Sequence, residues 1–138
     1  MRHEELVGLR HTPEAKGAYK PASPDANPVL IFEDRMLYGL KGEVGGNDHL
    51  TALGAGDVKR HGRDVTIVAI GRMVQHALAA AEVLSGEGIE AEVVDPRTLV
   101  PLDTETLLAS LRKTNRAVVV DGGVRQYGAG AEIAAMLS

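Results

Sequence analysis

From Asp64 onward the chain alternates between two kinds of apolar pattern. DVTIVAIG (Asp64–Gly71) is a continuous β-branched run, as expected of a strand buried on both faces. In the next segment, RMVQHALAAAEVLSGEG, residues Val74, Ala77, Leu78, Ala81 and Leu84 recur at helical spacing, and Gly86 and Gly88 are placed to end the helix. IEAEVVD (Ile89–Asp95) reads as a second strand. Asp103 is a good N-cap for a second helix, with Leu107, Leu108 and Leu111 on one face and Arg112 and Lys113 in its last turn, where cations suit the helix dipole. RAVVVDGG (Arg116–Gly123) is a third buried run, and GAGAEIAAMLS opens a last helix. The pattern predicts strands at about 65–70, 91–95 and 117–121 and helices at about 72–86, 103–113 and 129–137. Strands and helices in strict alternation imply an α/β fold with parallel strands joined by right-handed crossovers, and no antiparallel hairpin among these three strands.

Upstream, NPVLIFED (Asn27–Asp34) reads as another strand, introduced by the turn signal ASPDANP. YGLKGEVGGNDHLTALGAGD has no helical period and is rich in glycine, so it reads as an exposed connection. The chain thus divides into 1–34, a connection over 35–60, and the α/β unit over 61–138.

Composition narrows the function classes. A chain of 138 residues with 44% hydrophobic and 25% charged residues has the balance of one globular domain. With no cysteine, disulfides and thiolate metal sites are impossible. No apolar stretch approaches the roughly 18 residues of a membrane span, and MRHEELVGLR carries two glutamates where a signal peptide needs its apolar region, so no membrane association and a cytoplasmic location are expected. A net charge of -4 and 3% aromatic residues argue against nucleic acid as a partner, because such a surface needs clustered cations and stacking rings.

Few residues suggest chemistry. VVDPRTLVPLD (Val93–Asp103) places Asp95 and Arg97 at the carboxyl end of a strand, where α/β folds keep their active sites. No nucleophile or third partner lies in sequence reach, which favours a structural ion pair or interface contact over a ligand contact. GAGAEI (Gly128–Ile133) fits two roles, close packing of a helix or presentation of backbone N–H groups to an anion. The full dinucleotide fingerprint is missing, since Ile133 stands at the third glycine position. His76, mid-helix beside Gln75, has no second ligand nearby and reads as a surface or packing residue.

Taken together, the blocks IGRMVQHAL, VVDPRTLVPLD and DGGVRQYGAGAEI resemble the C-terminal, transketolase-like domain of the beta subunit of thiamine-diphosphate-dependent 2-oxo-acid dehydrogenases, with the pyruvate dehydrogenase type nearest. NPVLIFEDRMLYGLKGEV resembles the last strand of that subunit's pyrimidine-binding domain and the linker after it, and TPEAKGAYKPA the helix before that strand. The resemblance covers about Thr12–Leu137, and Met1–His11 match poorly.

This resemblance implies a three-layer α/β domain with a mostly parallel sheet, lacking the family's last strand, preceded by a remnant of the pyrimidine-binding domain. It also implies a chain truncated at both ends. Nothing here corresponds to the family's cofactor-activating glutamate or acid/base histidine, and thiamine diphosphate and magnesium belong to the parent complex, where the alpha subunit holds the diphosphate. The expectation is therefore no catalytic or cofactor-binding residue in this chain, a role in scaffold and subunit interface, and an alpha subunit as partner. An uncovered sheet edge and the apolar Ile133, Ala134, Met136 and Leu137 of the last helix add an expectation of homo-oligomerisation. The alternative is a freestanding interaction or small-ligand module. One ligand is carried by the resemblance: a monovalent cation on main-chain oxygens at Ala22, Ser23, Asp25 and Asn27, although the residues themselves, with Pro24 departing from the family's usual residue, favour a plain turn. In the resemblance the DPRT turn shapes subunit contacts, so Asp95 is expected to accept hydrogen bonds at the strand end, Pro96 to set the turn and Arg97 to brace a neighbouring loop.

Overall fold

The computed structural model describes residues 5–9, 29–37 and 52–138. Among these, two sheets are joined by one short corner. The larger sheet contains β3 (Asp57–Arg60), β4 (Val65–Ala69), β5 (Ala91–Asp95) and β7 (Ala117–Val120) in the order β3-β5-β4-β7. The smaller contains β1 (Glu5–Leu9), β2 (Val29–Glu33) and β6 (Thr98–Val100) in the order β2-β1-β6. Three helices accompany the larger sheet: α1 (Met73–Gly86), α2 (Thr104–Thr114) and α3 (Ala129–Leu137).

The elements expected within the described residues are present, each within a few residues of its expected bounds. Strand β4 pairs in parallel with both β5 and β7, with Val65 opposite Ala91 and Thr66 opposite Ala117. Alternate residues of β4 point to opposite faces, which builds two cores. Ile67 and Ala69 meet Val74, Ala77 and Ala81 of α1, while Val68 meets Leu107 of α2 and Ile133 of α3. The small Ala77 and Ala81 let α1 lie close to Ala91 and Val93. Helix, sheet and helix thus form three layers, and β5 is buried along its whole length because both faces are covered.

Three strands depart from the sequence pattern. Asp57–Arg60 falls in the stretch read as connection, yet it pairs antiparallel with β5, Asp57 lying opposite Asp95. Its charged residues suit an edge strand rather than a buried run. Thr98–Val100, read as part of a turn, pairs antiparallel with β1. Glu5–Leu9 pairs in parallel with β2 from Glu5↔Val29 to Leu9↔Glu33. The helix expected at TPEAKGAYKPA lies outside the described residues.

Glycine fixes two places where the layers touch. A Cβ on Gly62 would lie 2.2 Å from the Ala91 carbonyl carbon and 2.3 Å from the Glu92 nitrogen, so only hydrogen fits between the β3–β4 turn and β5. Gly86, at the end of α1, faces open space. Gly62→Ala is expected to lower stability by about 3 kcal/mol or more through backbone displacement. Gly86→Ala should leave it unchanged or raise it by up to about 1 kcal/mol, because Ala loses less conformational freedom in a helix. Urea unfolding midpoints of the two variants check this contrast.

Candidate functional site

In a parallel α/β sheet the loops beyond the carboxyl ends of the strands are the place to look for chemistry. Here they are the β4–α1 turn (Ile70–Arg72), the β5–β6 corner (Asp95–Thr98) and the β7–α3 loop (Asp121–Gly128). The two carboxylates that end β5 and β7 are engaged by the protein's own backbone. Asp95, fully buried, accepts a 2.7 Å hydrogen bond from the Arg97 amide. Asp121 accepts from the Gly123 amide at 2.9 Å and, through its other oxygen, from the Gly130 amide at 3.0 Å.

The corner after β5 is tight. Pro96 is buried, its carbonyl accepts from the Thr98 amide at 2.6 Å, and Arg97 adopts φ 59°, a left-handed backbone that costs a non-glycine residue about 1–2 kcal/mol. That conformation aims the guanidinium back at the start of β3, where Nη2 lies 2.6 Å from Asp57 Oδ2, and Lys59 lies 2.7 Å from the same oxygen. Burial works against the charge of Asp57, but Lys59 and Arg97 outweigh it and hold the carboxyl below its ordinary pKa. Two further bonds fasten the chain ahead of β3 to the corner: Gly54 N–H donates to Thr98 Oγ1 at 3.1 Å, and Gly56 N–H to Asp103 Oδ2 at 2.8 Å. Asp103 also caps α2, accepting from the Thr106 amide at 3.0 Å and hydroxyl at 2.7 Å. Burial opposes its charge too, yet these donors hold its pKa down.

The expected roles of Asp95, Pro96 and Arg97 match this geometry, with one difference. The element that Arg97 braces is strand β3, not a loop. At GAGAEI, packing explains the glycines. A Cβ on Gly128 would sit 2.0 Å from the Val124 carbonyl oxygen, and one on Gly130 would sit 2.9 Å from Asp121 Cβ. The Gly130 amide, which an anion would need, already serves Asp121. His76 is exposed on α1. Ala22, Ser23, Asp25 and Asn27 lie outside the described residues.

Sequence reasoning missed a second deeply buried carboxylate, in the middle of the same strand as Asp95. Glu92, in the middle of β5, is 1% exposed. It is paired with Lys113 at the end of α2, hydrogen-bonded to Ser110, and accepts weakly from the Gly62 amide at 3.4 Å, while His61 Nδ1 lies 3.7 Å away. Burial raises the cost of its charge, but these donors more than compensate and hold its pKa below the ordinary value. Beside it, the hydroxyls of Thr66 and Thr114 meet at 2.7 Å under the same helix end. A glutamate between Ala91 and Val93 on a buried strand was the available signal, and the polar face of α2, with Ser110 and Thr114, answers it.

Among the described residues no group of three His, Cys, Asp or Glu is placed to hold a metal ion. A cleft of about 740 Å³ runs along the outer edge of β7, bounded by Leu111, Ala117, Val119, Ala134 and Leu137, with Arg125 at its rim. Thr66 N–H and Ile70 N–H donate to the carbonyls of Arg116 and Val120, so the backbone groups of Ala117 and Val119 point away from β4 and into this cleft.

Residues 54–138 match the family model of the transketolase C-terminal domain. The chain belongs to that family. It is 45% identical, over 125 residues, to the beta subunit of acetoin:2,6-dichlorophenolindophenol oxidoreductase from Bacillus subtilis, covering 91% of this chain and 36% of that protein. It is 47% identical, over 137 residues, to the mitochondrial pyruvate dehydrogenase E1 component subunit beta of Bos taurus, covering 96% of this chain and 38% of that one. Among solved structures, a split-gene transketolase described as an inactive β4 tetramer superposes with a TM-score of 0.83 at 34% identity, covering 98% of this chain and 44% of that one. The chain thus spans little more than a third of the length of these curated relatives. The match to the transketolase C-terminal domain family begins just ahead of β3, in agreement with the pairing of that strand into the larger sheet.

Glu92 and Asp103 each generate a prediction. The folded pKa of Glu92 lies below its unfolded value, so the stabilisation from its ionised form is present above the ordinary glutamate pKa of 4.5 and is lost as the pH falls below it. Glu92→Gln is expected to cost about 2 kcal/mol at pH 7 and to flatten this acid loss, as read by urea unfolding from pH 7 to pH 3. Asp103→Ala removes the cap of α2 and the acceptor of Gly56 together, and should cost about 1–2 kcal/mol in the same assay, whereas Asp103→Ser, which restores a cap, should recover most of it.

Proposed function

We propose that this chain is part of the beta subunit of a 2-oxo-acid dehydrogenase of the pyruvate type, supplying scaffold and subunit interface and no reacting group. One observation carries the reading: the carboxylates at the carboxyl edge of the sheet, where an α/β domain would keep its chemistry, are bound to the protein's own amides and cations. The beta-subunit relatives at 45% and 47% identity support the assignment. Their names include both a pyruvate and an acetoin enzyme, and the pyruvate type is the one put forward here.

Thiamine diphosphate and magnesium belong, in this reading, to the parent complex. The described residues do not fit the cofactor. Glu33 ends β2 of the smaller sheet, Glu132 stands exposed in the first turn of α3, and no acidic cluster for magnesium accompanies either. The partner is an alpha subunit, which would hold the diphosphate. The reading also includes homo-oligomerisation and a cytoplasmic location, and at Ala22, Ser23, Asp25 and Asn27 it favours a plain turn over the monovalent cation that the resemblance carries. No helix of the described residues is long and apolar enough to cross a membrane.

Calorimetric titration of the chain with thiamine diphosphate and magnesium is expected to give no binding tighter than about millimolar, near -4 kcal/mol, and pyruvate decarboxylation at background. A micromolar dissociation constant, abolished by Glu33→Gln, would overturn the non-catalytic assignment. Co-expression with an alpha subunit of the pyruvate type should yield a complex that survives gel filtration. A stable homo-oligomer that ignores the alpha subunit would favour the freestanding module instead.

A further inference from the structure

We draw no further inference here: the strongest candidate, the cleft along the outer edge of β7 with the outward backbone groups of Ala117 and Val119, carries none, because nothing in the structure shows what covers it.

Discussion

Strand β5 leaves the larger sheet at Asp95, and by Thr98 the chain is already paired in the smaller one. A strand buried on both faces can change sheets so abruptly only if the backbone groups of the corner find partners. Asp95 takes the Arg97 amide, Pro96 supplies a fixed φ and a carbonyl for Thr98, and Arg97 accepts a left-handed backbone that turns its guanidinium onto Asp57. Strand β3 then lies along β5 because its first residue is held there, and the Gly54 and Gly56 amides fasten the preceding chain to Thr98 and Asp103. Backbone strain at Arg97 persists because these bonds determine the local conformation several times over.

The same economy governs the other carboxylates. Glu92 joins the centre of β5 to the end of α2 through Lys113 and Ser110, and Asp121 joins the end of β7 to the first turn of α3. Each carboxylate links two secondary-structure elements and is held by donors of the chain itself. A general acid, base or nucleophile instead needs a reacting atom within hydrogen-bond reach. Distribution of charge in this form ties the layers of the domain to one another.

Much of the α/β unit was legible because its strands are β-branched runs and its helices carry apolar residues at helical spacing, and both signals are local. The joint was only half legible. DPRT announced a turn with a carboxylate and a guanidinium, but the partner of Arg97 sits 40 residues earlier in DVKR, a charged tetrapeptide that becomes a strand only by lying against β5. TLV of β6 is three residues long and pairs with β1, some ninety residues earlier, so no window of sequence contains its reason. Glu92 was overlooked for a related cause. Its partners Lys113, Ser110 and Gly62 come from a helix and a turn on either side of β5 in sequence, and helix periodicity marks only the apolar face of α2, not the polar one it buries.

The central claim is that the Asp95–Thr98 corner is a structural joint whose reach extends to β3 and β6. Hydrogen exchange followed by mass spectrometry on the chain and on Arg97→Ala tests it most directly. Loss of the guanidinium is expected to speed amide exchange in Asp57–Arg60 and Thr98–Val100 by tenfold or more, about 1.4 kcal/mol, while Val65–Ala69 keeps its protection. Unchanged exchange in both short strands, or an equal loss across every strand of the larger sheet, would contradict it.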